Sequence, residues 1–150
     1  MSCFTTGVTV VTAHAQGQDW GMTCNSFNTV SLDPPMVLWS VRKSSASHAA
    51  FVTSGGYMVN VLGAQQKDVA LQFAQGTQQE KFAGQTCLRS DSQHPRLEGV
   101  IAWFDCRIAQ VVSAGDHDIL IGEVVDFGVQ PGHGLAYAQR SFGVLAALED

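Results

Sequence analysis

From Val100 to Phe127 the sequence reads VIAWFDCRIAQVV, then SAGDH, then DILIGEVVDF. In the first run Val100, Ala102, Phe104, Cys106 and Ile108 share one face, while Asp105 and Arg107 lie on the other. That is the period of a strand, whose successive side chains point to opposite faces. The second run has the apolar residues of a partner strand, and a connection this short joins antiparallel neighbours. The pair commits the chain to an antiparallel sheet. One residue is left unexplained, because a turn uses Gly115 and Asp116 but has no need of His117.

Other segments extend the sheet. TTGVTVVTAHA and DWGMTCNSF read as a hairpin around the polar residues 16–19. SLDPP breaks the pattern, since Pro34 and Pro35 donate no ladder hydrogen bond. MVLWSV is nearly all apolar, which predicts a strand buried on both faces, and YMVNVL is a further strand. Between these two, Ser45 or Ser47 is placed to cap a helix through residues 49–52, ended by Gly55 and Gly56. Val69, Ala70, Phe73 and Ala74 have helical spacing and stop at Gly76. Residues 77–99 show little pattern, and GLAYAQRSFGVL adds one more strand. Strands that follow one another with inserted helices favour a mainly β, barrel-like antiparallel sheet. No linker or internal repeat divides residues 1–150, so a single domain is expected.

Composition narrows the partners. A net charge of −5 disfavours nucleic acid, which is bound by clustered Lys and Arg. Only 14% of residues are charged, a proportion that suits a subunit covering part of its surface with a second copy. Cys3, Cys24, Cys87 and Cys106 show no CxxC and no zinc-ligand spacing, and read as free, buried thiols. No metal site is expected. With no signal peptide and no apolar run near the length of a membrane span, a soluble, cytoplasmic protein is expected.

Familiar nucleotide motifs are missing: there is no GxxxxGK[ST], and no GxGxxG follows a strand. Nor is there HExxH spacing or a GxSxG elbow. What the sequence offers is a polar cluster in its first third: TCNSF, then Ser40, then RKSSASH at the start of a helix. Lys43, Ser45 and Ser47 beside a helix N-terminus make a workable phosphate site, and simple helix capping accounts for the same serines. Trp39, Trp103 and Phe104 read as core or interface filling. His14, His94 and His133 fall in apparent loops without companions, and His48 suits either helix packing or a ligand.

In combination these stretches resemble the short-chain flavin reductase family, the reductase halves of two-component flavin-dependent monooxygenases. The resemblance runs through TTGVTVVTA, GMTCNSFNTVSLDPPMVLWSV, KSSASHAAF, YMVNVL, QFA, KFAG, LEGVIAWFDC and GDHDILIGEV, in the family's order over residues 5–127. SFNTVSLDPP together with the later GDH is the specific part. The resemblance implies an FMN-binding split β-barrel of Greek-key type and a homodimer with FMN or FAD near its interface. It implies hydride transfer from NADH or NADPH to the flavin, with reduced flavin passing to a separate monooxygenase. It further implies that Thr23, Asn25 and Ser26 hold the isoalloxazine edge and that Ser40 lies beneath the ribityl chain. Lys43, Ser45 and Ser47 would take the flavin phosphate, and Lys81 and Phe82 would close over the cofactor. His117 would face the nicotinamide, with Gly115 and Asp116 shaping its turn and Asp116 fixing its tautomer.

Family members carry a short helical segment before the first strand, so either this sequence is trimmed or its dimer interface differs. RKSSASH is richer in serine than many relatives. Two rivals to the reductase reading remain: an enzyme of the same fold that retains its flavin and acts on another substrate, and a flavin-binding protein without reductase activity. The sequence leaves open FMN against FAD, NADH against NADPH, and the identity of the oxygenase.

Overall fold

The computed structural model describes residues 1–149. Its elements, in order, are β1 (Thr6–Gly7), β2 (Thr9–Ala15), β3 (Gln18–Cys24), β4 (Asn28–Leu32), β5 (Pro35–Arg42) and α1 (His48–Thr53). Then come β6 (Gly56–Val61), α2 (Lys67–Ala74), α3 (Gln78–Phe82), β7 (Cys87–Leu88) and β8 (Arg96–Leu97). The chain continues through β9 (Ala102–Ala114), β10 (His117–Val129), β11 (Ala136–Ala138) and β12 (Ser141–Gly143).

Seven strands form one antiparallel sheet in the order β3-β2-β6-β9-β10-β5-β4. The two edge strands, β3 and β4, are consecutive in the chain yet do not pair. The sheet therefore curls into a barrel that stays split between them, with residues 25–27 crossing the opening. The interior is apolar. Trp39 is fully buried and meets Phe51 and Tyr57 edge-on, at centroid distances of 4.9 and 5.9 Å, an orientation favoured by the aromatic quadrupole. The Tyr57 hydroxyl donates to the Leu120 carbonyl at 3.0 Å, so this large side chain is buried without orphaning its polar atom.

A second core lies between β2, α2 and the end of the chain, where Val8, Val10, Leu62, Ala70, Phe73 and Leu135 pack together. Buried Asn60 ties this side down. Its amide donates to Val10 O at 3.0 Å and to Thr12 Oγ1 at 3.2 Å, and its carbonyl accepts from Leu97 N at 2.8 Å.

The long hairpin is present as β9 and β10, but several expectations change. SLDPP does not end the sheet: residues 28–32 are an edge strand paired with β5, and Pro35 opens β5 opposite Leu32, where a missing N–H is tolerated. MVLWSV is not buried on both faces. Val37, Trp39 and Val41 point into the core, while Met36, Leu38 and Ser40 are half-buried on the outer face. Gly55 ends α1 with φ +78°, but Gly56 already belongs to β6. Residues 77–99 contain a helix and a two-stranded ribbon, with the Thr77 hydroxyl capping α3 through Glu80 N at 3.1 Å. The tail supplies two strands rather than one, which join β1 in a small sheet. Asp105 lies opposite the Cys106 face as expected, yet it is only 3% exposed, beneath Ser90, whose hydroxyl donates to it at 2.9 Å. His14 sits in β2 and pairs with Asp19, and His94 is buried, its Nδ1 accepting from His14 N at 3.0 Å. All four thiols are free, but Cys3 is exposed and only Cys106 is fully buried.

Candidate active site

The segment crossing the split carries Asn25 and Ser26, and most of the other polar residues singled out in the sequence lie on β3, on β5, on the connection to α1 and at the β9–β10 turn. Ser26, on the crossing segment, clips the β5 main chain. Its hydroxyl accepts from Ser40 N at 3.0 Å and reaches Ser40 O at 3.4 Å. The Ser40 hydroxyl is left without a partner among the described residues. Thr23 donates to Ala70 O at 2.6 Å, joining β3 to α2. Asn25 is exposed, and its side-chain amide makes no hydrogen bond among the described residues. It stands on the wall shared by two clefts. One, of about 420 Å³, is lined by Thr23, Ala70, Tyr137, Arg140 and Phe142. The other, of about 430 Å³, is lined by Thr5, Thr6, Ser26 and Phe27. Thr6 Oγ1, on the second wall, is buried without a partner.

Beyond Ser40 the chain leaves β5 and turns into α1. The Lys43 main-chain N–H donates to Asp116 O at 2.9 Å, and its ammonium bonds Ser113 Oγ, so this segment is tied to the β9–β10 turn. Ser45 Oγ accepts from Ser47 N at 3.2 Å. Ser47 occupies the N-cap position without a side-chain cap bond. Its hydroxyl instead accepts from Gln78 at 3.1 Å, while the Gln78 carbonyl accepts from Gly21 N at 2.9 Å. Gln78 thus stitches α1, α3 and β3 together, a role its sequence context did not signal. With six residues, α1 offers little axial dipole, so a phosphate here would rest on hydroxyls and the Lys43 ammonium.

His117 opens β10. The connection from Ala114 is the two-residue turn Gly115-Asp116, with Gly115 at φ +62°, the left-handed first position that favours glycine in a II′ hairpin. Asp116 Oδ1 lies 2.7 Å from His117 Nδ1. That hydrogen bond, with the nearby His117 charge, draws the exposed Asp116 carboxyl below its ordinary value. It also fixes Nδ1 as the protonated nitrogen when the ring is neutral, leaving Nε2 for a ligand. Residues alternate faces along β10. Asp118, one position on, is buried and meets His48 Nε2 at 2.6 Å, while His117 is on the outer face with Ser40 and Ile119. Asp118, the last letter of GDHD, has no role in the sequence motif, although strand parity alone places it on the face opposite His117.

Lys81 and Phe82 do not join the open group. Lys81 is 7% exposed and donates to Gly21 O at 3.1 Å, and burial lowers its pKa from the ordinary lysine value. Phe82 packs edge-on against Phe73 at 4.9 Å. Both brace β3 at Gly21, where an added Cβ would lie 2.7 Å from the Phe73 ring. His133 remains in a loop, giving its main-chain carbonyl to Ala64 N. Trp39 is core, Phe104 stacks on Phe27, and Trp103 carries the Arg96 guanidinium on its ring. No group of three or more His, Cys, Asp or Glu side chains among the described residues is placed to hold a metal ion.

The donor set suits a flat, polar-edged ring carrying a phosphate tail. Asn25 offers an unpaired amide, and Ser40, Ser45 and Lys43 offer hydroxyls and an ammonium on β5 and the connection that follows it. Comparison with known proteins defines the family. Residues 1–146 match the flavin reductase like domain, and the chain belongs to that family. It is 43% identical over 140 residues, 93% of its length, to the reductase component of a flavin-dependent trigonelline monooxygenase from Acinetobacter baylyi. The chain spans less than half of that relative, 45% of its length. It is 41% identical over 143 residues, 95% of its length and 81% of the relative's, to an FMN reductase (NADH), SmoA, from Agrobacterium fabrum. Among solved structures, the NADH:FAD oxidoreductase SgcE6 of Streptomyces globisporus superposes with a TM-score of 0.92 at 34% identity, covering 99% of this chain and 85% of that one.

Proposed function

We propose that this chain is an NAD(P)H-dependent flavin reductase that delivers reduced flavin to a separate monooxygenase. The observation that carries the reading is the placement of His117: on the outer face of β5 and β10, in line with Ser40, its ring oriented by Asp116. Bound flavin, FMN or FAD, supplies a hydride acceptor. The protein's part is to align two planar groups and keep water from between them, which demands orientation more than an acid or base. Asn25, with Thr23 and Ser26 shaping its segment, holds the pyrimidine edge; Ser40 lies along the ribityl chain; and Lys43 and Ser45 receive the phosphate, with buried Ser47, held by Gln78, positioning that segment. Lys81 and Phe82 support the site by bracing β3. His117 offers Nε2 to the carboxamide side of the nicotinamide.

The relatives named as reductase components support an oxygenase partner reached by diffusion of reduced flavin, and SmoA and SgcE6 support NADH as donor. The outer face beside His117, where Met36, Leu38, Ile119 and Ile121 are only half-covered, supports a homodimer closing over the flavin. No helix among the described residues is long and apolar enough to cross a membrane, and four free thiols suit the reducing cytoplasm. Loss of NADH absorbance on mixing with protein, with and without added FMN or FAD, tests the reading. Oxidation that depends on added flavin is the expected result. Flavin binding with no oxidation of NADH or NADPH would move the protein to the binding class.

A further inference from the structure

The chain carries eight lysines and arginines against thirteen acidic residues, so an anionic substrate must be met by particular cations rather than by a general field. Most of the eight are already engaged. Lys81 is buried on a carbonyl, Arg89 and Arg107 are paired with Asp19 and Glu123, and Lys43 bonds Ser113. Arg96 and Lys67 lie over aromatic rings. Two guanidinium groups have no side-chain partner among the described residues: Arg140, in the cleft beside Asn25, and Arg42.

Arg42 is the last residue of β5 and stands directly opposite His117 in the β5–β10 register. Residues so paired point to the same face with Cβ atoms about 5 Å apart. Arg42 therefore shares the outer face with His117 and Ser40, and it is exposed. Asp116, whose carboxyl feels the Arg42 charge without a hydrogen bond to it, is already hydrogen-bonded to His117. An unpaired guanidinium at the side of a ring-binding histidine matches a ligand with negative charge a short distance from its reacting ring.

We infer that Arg42 binds the bridging diphosphate of the nicotinamide dinucleotide while His117 holds the nicotinamide end. The assignment rests on the reductase reading and adds a recognition residue to it. In the dinucleotide a single ribose separates nicotinamide from the diphosphate, whereas the extra phosphate of NADPH lies farther off, on the adenosine ribose. A cation immediately beside His117 reaches the first and not the second, so it serves NADH and NADPH alike. A planar fork of N–H donors is also the side chain best matched to phosphate oxygens.

Equilibrium titration of the wild type, Arg42→Ala and Arg42→Lys with NAD⁺, NADP⁺ and FMN, alongside the steady-state constants for NADH, tests this. Arg42→Ala should weaken both dinucleotides by the same factor, about tenfold. It should raise the KM for NADH equally and leave kcat, FMN affinity and Tm unchanged. Its dinucleotide affinity should also lose much of its dependence on salt, and Arg42→Lys should recover part of the loss. Unchanged NAD⁺ affinity in Arg42→Ala would overturn the assignment, as would a loss confined to NADP⁺. Wild-type protein that binds FMN but neither dinucleotide would instead remove the reductase reading, and this inference with it.

Discussion

Two histidine–carboxylate pairs meet β10 at adjacent residues, His117 and Asp118, and face opposite ways. His117 and Asp116, 2.7 Å apart, lie at the turn, with Asp116 exposed and the imidazole on the outer face. His48 and Asp118, 2.6 Å apart, lie inward and lash α1 to the start of β10. The residue types and lengths are nearly the same. Strand parity, a single step along the backbone, leaves one pair on the outer face and makes the other part of the scaffold that ties α1 to the sheet.

That contrast can be broken by substitution. Asp118→Ala should have the largest effect on the fold, because it removes the bond by which half-buried His48 ties α1 to β10. A loss of about 1–3 kcal/mol is expected, seen as a lowered Tm, with weaker FMN binding as α1 loosens. An unchanged Tm would show that the inward pair bears no structural load. His117→Ala should raise the KM for NADH about tenfold while flavin affinity and Tm hold, measured by steady-state kinetics and flavin titration; a collapse of flavin binding would erase the division between the pairs.

A third histidine sharpens the comparison through pH. His94 is buried with no carboxylate in contact, and burial lowers its pKa from the ordinary histidine value. The unfolded chain then binds the proton more readily than the fold does, so stability is full above about pH 6.5 and falls as pH drops from there toward the lowered folded value. Denaturant melts across this range should show the decline in the wild type and a shallower one in His94→Gln. The smallest effect is expected from Asp116→Asn, an exposed partner whose loss should change the KM for NADH by no more than about twofold.

Much of this was legible in the sequence, for reasons that differ by region. Alternation in the first run and the apolar second run sufficed for the central hairpin, because Phe104, Cys106 and Ile108 of β9 and Leu120 of β10 turn toward the core. The edge strand at residues 28–32 was not legible: its exposed positions, Val30 and Leu32 among them, carry no in-out pattern, and the prolines after it read as a break. The helix at 78–82 did have a signal, the Thr77-to-Glu80 spacing of a capping box, obscured by the polar run around it. At the site, residue types singled out a polar cluster around TCNSF and Ser40 and a histidine the turn does not need, and their proposed roles came from the family resemblance. Lys81 gave no hint that its ammonium would be buried against Gly21, since that contact joins segments sixty residues apart. Arg42 was indistinct until the β5–β10 register set it opposite His117.

The most direct test of hydride transfer is anaerobic mixing of the protein with flavin and NADH, following both chromophores at once. The account predicts that oxidised flavin and NADH disappear together, one for one, with His117→Ala slower at low NADH and matching the wild type at saturation. Flavin that binds but stays oxidised with NADH and with NADPH would contradict it.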